Sequence, residues 1–398
     1  MYTISFFLQK SKVEIDTSVN IVYNRETIIH REGAFAIRII QNRRALHQIP
    51  ELDRQLPLTL AYLGGELEGL GCKLFSPMDG SLCAWFDFGC EGAIAFRADM
   101  DALPIAERTG AEYASLHPGK MHACGHDGHM AILLELARRL SKRKQLHKNI
   151  LLVFQPAEEA SGGAKPICDT GIFEQYHVEA IFGLHLWPGL QKGKLFSRVG
   201  GMMSRSAELD VDIYGKSAHI GRSWEGIDSM EAAAVFLQQA YALERGVPDD
   251  IRRLLKFGHM QSGTVRNAIS AHTRLEGGLR AFSDEVFFGL RDQLVQIAKE
   301  VEARFGCTVE VHTSNGYPAI DNPQWLHDQV RAIAPFEHLE EPSMTTEDFS
   351  WYQRYLPGMF FFLGLGENPA LHSNDFDFDE SVLEKGADFF EKIAEGWT

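Results

Sequence analysis

Four short, nearly unbroken apolar runs stand out along the chain: Ala93 to Arg97 (AIAFR), Ile150 to Phe154 (ILLVF), Ala180 to Leu184 (AIFGL) and Met359 to Leu363 (MFFFL). Runs of this length without polar alternation predict strands buried on both faces, and helical periodicity between several of them predicts a mostly parallel α/β sheet. Ahead of the first run, an amphipathic helix is expected from Arg25 to His47, closing on RRALHQIPEL (Arg43 to Leu52), where Pro50 stops it. A second helix is expected from Leu56 to Leu70, ended by Gly71.

The pattern changes between about Gly200 and Asn315. Glu208 to Tyr214 alternates with Leu209, Val211 and Ile213 inward, and a helix fits Ser229 to Glu244. Alternating segments near Leu255 to Met260 and Arg274 to Leu279, a helix from Ser283 to Phe305 and a strand at Thr308 to Thr313 complete the order βαββαβ. That order is the one of a ferredoxin-like domain, here inserted. The expected division is a discontinuous catalytic domain (23–199 and 316–398), an inserted domain (200–315) and an N-terminal extension (1–22).

The residues just past each buried strand carry the chemistry. The first strand runs into Asp99-Met100-Asp101, the second into Gln155-Pro156-Ala157-Glu158-Glu159, the third into His185, and a loop after the fourth bears His372. Ligands of open α/β sheets bind at the carboxyl ends of the strands. These groups are therefore expected to meet the stretch Met121 to Ala131 (MHACGHDGHMA) there. It crowds Cys124, His122, His126, His129 and Asp127 together, a density of soft and borderline donors that asks for a metal. Read without chemistry it is a helix start, with Asp127 as N-cap and Met130, Leu133, Leu134, Ala137 and Leu140 at helical spacing. The two readings are compatible, and the helix dipole together with nearby cations is then expected to favour the thiolate of Cys124.

A hydrolytic dinuclear centre needs donors for two cations, a bridging anion and a base not consumed as a ligand. Cys124 can bridge as thiolate, His126 and His185 can hold one ion or share two, and Glu159 and His372 can complete the shells. Glu158 remains free as general base toward water. Asp101 is expected to orient a ligand imidazole from behind.

Composition narrows the partners. In 398 residues with a net charge of −15, no basic run is long enough to favour nucleic acid or an anionic membrane, which leaves small molecules. Six scattered cysteines fit reduced thiols in a cytoplasm, and no run reaches the roughly 18 apolar residues of a membrane span. A cytoplasmic location is expected.

Taken together, RRALHQIPEL, FRADMDALPI (Phe96 to Ile105), MHACGHDGHMA, FQPAEEASGGA (Phe154 to Ala164), GLHLWP (Gly183 to Pro188), GKSAH (Gly215 to His219), RNAIS (Arg266 to Ser270), TTEDFS (Thr345 to Ser350) and LHSNDFDFDE (Leu371 to Glu380) resemble one family. It is the metal-dependent aminoacylase, carboxypeptidase and amidohydrolase family, and the match is to the branch of hippurate hydrolases, N-acyl-amino-acid amidohydrolases, auxin-conjugate hydrolases and N-acetyldiaminopimelate deacetylases. The resemblance implies a zinc-peptidase-like catalytic domain whose insert is a lid and homodimerisation domain. It implies that Cys124, His126, Glu159, His185 and His372 bind two divalent ions per subunit and that Glu158 is the base. Peptidase relatives carry a His where Asp99 stands; in this branch the Cys and His of the CGH motif take over that coordination. His219 is implied to stabilise the oxyanion, with action on the partner subunit's site as one arrangement. Asn267 and Arg280 are implied to contact the substrate carboxylate. The chain departs from many relatives after GKSAH, where Ile220-Gly221-Arg222-Ser223-Trp224 replaces small residues and a proline, and at Asn267-Ala268-Ile269-Ser270 in place of Asn-Val-Ile-Pro. Both departures bear on the substrate pocket.

The expected reaction is hydrolysis of an N-acyl amino acid to a carboxylate and a free amino acid. Mixed S, N and O donors do not select one metal: zinc and manganese both fit, with cobalt or nickel as substitutes. One rival is a carboxypeptidase or dipeptidase, differing in the acyl side. Another is a metal-binding protein that has lost catalysis, disfavoured because Glu158 and every expected ligand are present.

Overall fold

Alternation within the buried strands sets the architecture of the computed structural model, which describes residues 31–398. In the strand Ala93–Asp99, Ile94, Phe96 and Ala98 enter one core while Ala93 and Ala95 enter another across the sheet. The strand Gly358–Gly364 divides the same way, Phe361 to the first side and Phe360 and Phe362 to the second. A sheet covered on both faces must use residues apolar throughout, which is why these runs do not alternate.

Among the described residues the central sheet has eight strands. At its middle, Asn149–Gln155, Ala93–Asp99, Val178–Trp187 and Gly358–Gly364 are adjacent and parallel, so the last strand does rejoin the first three across a long stretch of chain. The flanks were not anticipated: Lys73–Phe75 and Leu82–Phe86 add antiparallel strands at one edge, and Leu195–Ser197 and Glu337–His338 extend the other. These strands are two to five residues long, too short for a period to register.

A second sheet, antiparallel throughout, has the order Thr308–Thr313, Arg205–Tyr214, His272–Ala281, Arg253–Ser262. The helices Ser229–Gly246 and Asp284–Phe305 share its core of Leu209, Val211, Leu275, Phe236 and Leu294. The first strand starts at Arg205, earlier than the alternation suggested.

The expected helix from Arg25 is present as Arg31–His47, with its first turns and residues 1–22 outside the described residues. The second helix, Pro57–Leu67, stops short of Leu70 because Gly69 and Gly71 both take positive φ. Among the described residues, no helix is long and apolar enough to cross a membrane.

A buried ionic cluster joins the first helix to the helix His126–Leu140. Arg43, wholly buried, donates from Nε to Asp127 Oδ2 (2.8 Å) and from Nη2 to Asp377 Oδ1 (2.9 Å). His47 donates from Nδ1 to the same Asp127 oxygen at 2.7 Å, and its Nε2 meets Glu107 Oε1 at 3.3 Å. Asp127 is thus inside the helix, partnered with the neighbouring helix, and Gly125 is the N-cap in its place. Burial opposes a charged His47, but the Asp127 carboxylate outweighs it and raises the imidazole to about 9. A group whose folded value is raised stabilises the fold fully below its ordinary value, 6.5, and stops doing so as pH climbs through the folded one. Denaturant titrations should therefore show the stability gap between wild type and His47→Gln shrinking by on the order of 2–3 kcal/mol between pH about 6.5 and about 9. A gap constant over that window would mean His47 is neutral in the native protein.

Candidate metal centre and its cavity

The carboxyl ends of three parallel strands and the turn before the helix His126–Leu140 meet at one point. Gly125, at φ 85°, makes that turn in the left-handed region open to glycine and lets Cys124 and His126 present their donors to the same place. Glu158 and Glu159 leave the strand Asn149–Gln155 through Ala157, which itself has φ 63°, and His372 sits at φ 65°. Two non-glycine residues held in this region mark a locally strained backbone, costing roughly 1–3 kcal/mol each. His372 is pinned there by its N–H, which donates to the Ala123 carbonyl at 2.8 Å.

The expected donors converge. Cys124 Sγ lies 3.4 Å from His185 Nε2, His126 Nε2 lies 3.7 Å from Glu159 Oε1, and His372 Nε2 lies 3.1 Å from the same oxygen. The donor atoms of Cys124, His126 and His185 fall within 4.8 Å of one another, as do those of Cys124, Glu159 and His372 and those of His126, Glu158 and Glu159. His126 donates from Nδ1 to the Asp101 carbonyl (2.7 Å) and His185 from Nδ1 to the Leu186 carbonyl (2.7 Å). Carbonyls only accept, so each Nδ1 carries the proton and each Nε2 lone pair faces the cluster. His126 Nε2 is buried without a hydrogen-bond partner. An imidazole oriented by a carbonyl, with its other nitrogen unsatisfied among a thiol and carboxylates, is the arrangement of a metal ligand.

Cys124 shows what the thiolate needs. Burial, and then the Glu159 and Glu158 carboxylates, push its thiol well above the ordinary value, so the helix end alone does not favour thiolate. Thiolate here requires a cation alongside, and the donor set fits divalent ions on that ground. Asp101 acts on the imidazole through its main chain. Its carboxylate stands 3.9 Å from His126 Nδ1 and instead accepts the backbone N–H groups of Glu158 (2.9 Å) and Glu159 (3.0 Å). Its main chain orients the imidazole while its side chain fixes the turn bearing both glutamates.

Sequence reasoning missed the charge balance behind this cluster. Arg97, wholly buried, donates to Asp99 Oδ2 (2.7 Å), Gln155 Oε1 (2.8 Å), Glu347 Oε1 (2.9 Å) and Asp348 Oδ1 (2.8 Å). A buried arginine in the strand FRADMD and a buried acid pair in TTEDFS were visible as letters, but their pairing is long-range and leaves no spacing to read. Asp99 in turn holds His129 Nδ1 at 2.6 Å, and His129 Nε2 accepts the Leu186 N–H at 3.0 Å. The third histidine of the motif therefore buttresses the strand carrying His185 and has no lone pair left for a metal. Burial, followed by Glu347 and Glu159, raises the Glu158 carboxyl well above its ordinary value, and the same burial lifts Glu347 to about 8.

A cavity of about 970 Å³ opens over the donors, walled by Glu158, His185, Trp187, Arg280, Tyr317 and Trp351 among others. Arg280 reaches it from the second sheet and donates to the Met344 carbonyl. His219 and Asn267 do not line it. They lie together and exposed elsewhere on the second-sheet unit, His219 bridging to Ala268 and the Ile220 N–H donating to the Asn267 carbonyl at 2.9 Å.

Residues 95–396 match the model of peptidase family M20/M25/M40. An N-acetyldiaminopimelate deacetylase of Lacticaseibacillus casei is 34% identical over 87% of this chain and 94% of its own length. A protein of Staphylococcus saprophyticus named only as an uncharacterized hydrolase is 32% identical over 90% of this chain and 97% of its own. Among solved structures, a dinuclear metal binding peptidase of Bacillus subtilis superimposes with a TM-score of 0.81 at 28% identity, covering 91% of this chain and 98% of that one.

Replacing Arg97 leaves three acids in the interior without their cation. Arg97→Met should cost about 3–5 kcal/mol in chemical denaturation at neutral pH, the scale of breaking a buried ion pair, with partial recovery at lower pH as Asp99, no longer held low by the guanidinium, takes up a proton. A loss below about 1 kcal/mol would show that the acids are already protonated beside Arg97.

Proposed function

This chain belongs to peptidase family M20/M25/M40, and on that premise we propose that it is a metal-dependent amidohydrolase of the deacetylase type, cleaving N-acyl amino acids to a carboxylate and a free amino acid. The observation that carries the reading is the convergence of Cys124, His126, Glu159, His185 and His372 with Glu158 alongside, on a cavity that also holds an arginine. In it, these five residues would hold two divalent ions, zinc or manganese with cobalt or nickel as substitutes, with Cys124 supplying a thiolate donor. Such ions, when bound, polarise an amide carbonyl and lower the pKa of water.

The rest falls to the protein. Glu158, held by burial and neighbouring acids with a raised affinity for protons, takes a proton from the attacking water and returns it to the departing nitrogen. Arg280, on the cavity wall, clamps the substrate's free carboxylate bidentately, which no lysine does as well. In this reading residues 23–199 and 316–398 are the catalytic domain. Residues 200–315 form a ferredoxin-like lid, supported by the order of its four strands and by its two helices on one face.

The lid also makes the homodimer in this proposal. Its strand Arg253–Ser262 is an edge with backbone groups open to pairing, and Ile220, Trp224 and Val265 near His219 are exposed at 55%, 76% and 63%. A second copy covering that face brings its His219 and Asn267 to a cavity that lacks both, where His219 of the partner subunit donates a hydrogen bond to the tetrahedral oxyanion.

A panel of N-acetyl amino acids, N-benzoyl amino acids and dipeptides, assayed for free amine with and without chelator, tests the reaction. Chelator-sensitive release from the N-acyl amino acids is expected, and release from dipeptides alone would favour a peptidase. Glu158→Gln should keep its metal by elemental analysis while kcat falls roughly 10²- to 10⁴-fold; loss of metal in that variant and not in Glu159→Gln would exchange the two roles. Inactive His219→Ala subunits mixed with inactive Glu158→Gln subunits should regain part of the activity. Verified subunit exchange without recovery would place His219 in its own subunit's site or outside catalysis.

A further inference from the structure

The RRALHQIPEL motif is distant in sequence from every proposed ligand, yet its arginine touches the backs of two of their segments. Arg43 Nε bonds Asp127, the residue after His126, and Nη2 bonds Asp377 in the loop that begins at His372. Nη1 meets Glu380 Oε1, further along that loop, at 3.4 Å. The guanidinium lies 4.8 Å from the centroid of the Tyr113 ring and 4.4 Å from that of Phe378, and Tyr113 donates its hydroxyl to Asp377 Oδ2 at 2.7 Å. A planar cation with fixed donor directions, stacked on rings and bonded on both sides, sets the separation of what it holds.

The proposed ligands differ in how much else holds them. Cys124, His126 and His185 are buried, and both of these imidazoles are oriented by backbone carbonyls. His372 has half its side chain exposed, and its one side-chain bond is to Glu159, itself a proposed ligand. Its position depends on its loop. That loop is tied by backbone bonds at His372 and at Asn374, whose carbonyl accepts the Arg108 N–H at 2.7 Å, and by side chains: Arg43 at Asp377, Lys192 at Asp379, and Arg44 with Arg43 at Glu380.

We propose that Arg43, acting through Asp377, is a positioning residue that holds the His372 loop against the Cys124–His126 turn and so sets the affinity of the metal position His372 completes. The proposal rests on the reading of His372 as a ligand. Loosening the clasp frees the one ligand without its own packing, so its effect falls on one metal equivalent and spares the other.

The test is chelator competition with Zn²⁺ on the full-length wild type, Asp377→Ala, Arg43→Lys and His372→Ala, with thermal unfolding of each metal-free form. Asp377 is partly exposed, so its truncation leaves the core intact. Asp377→Ala should weaken the equivalent lost in His372→Ala by about 10- to 100-fold while the other changes within about threefold. Arg43→Lys, keeping the charge and losing the fork, should fall between it and wild type. Asp377→Ala binding both equivalents as wild type does, or weakening both alike in step with a lower melting temperature, would overturn the proposal and leave the clasp a stabiliser of the fold. His372→Ala retaining both equivalents would refute His372 as a ligand; the Asp377→Ala titration would then still decide whether the clasp governs zinc binding.

Discussion

Carboxylates crowded into a dry interior are the constraint on which the site depends. Asp99, Glu158, Glu347 and Asp348 are all buried at one sheet edge, with Glu159 nearly so. One guanidinium, Arg97, answers three of them through direct bonds. Protonation of Glu347 relieves some of the remaining repulsion, and positive charge supplied from outside relieves the rest. An interior arranged so that folding alone leaves a deficit of cations is a binding site by construction. Arg97 then has a part in selectivity of a general kind: it keeps Asp99 occupied, so the acid nearest His126 Nε2, at 3.6 Å, is shared with a permanent cation.

The legible part of the fold was the part with the strongest local signal. Strands buried on both faces announce themselves by unbroken apolar runs, and the polar residues at their ends were readable because a sheet delivers its strand ends to one edge. Cys124, His126, Glu159, His185 and His372 could be gathered on that argument from the chain alone. Relations without a period failed to show. Arg97 reads as a stray charge closing an apolar run, and Glu347-Asp348 as a helix start. Asp101 was legible as the residue that orients the imidazole, but that its main-chain carbonyl rather than its carboxylate does so was not. Side-chain identity cannot distinguish these, because every residue brings a carbonyl.

The two sheets divide the work as their surroundings dictate. The parallel sheet is covered on both faces and supplies rigid strand ends; the antiparallel sheet is covered by helices on one face and contributes Arg280 from the other. Between them the cavity joins charged donors to broad aromatic walls at Trp187, Tyr317 and Trp351. The rings supply apolar surface for bulk, while Arg280, Arg205 and Lys165 give the same cavity positive charge apart from the donors.

The burial that raises the Cys124 thiol has a consequence for durability. Oxidation of cysteine depends on thiolate character and access. A thiol kept protonated by burial beside carboxylates is a poor target for peroxide even though it faces the cavity, and in the proposed metal-bound form its lone pairs would be engaged. On the proposed reading the sulfur would be protected in both states by different means, with the passage between them as the vulnerable interval. Protein starved of metal would then be stored in a form that can be recharged, its sulfur donor intact.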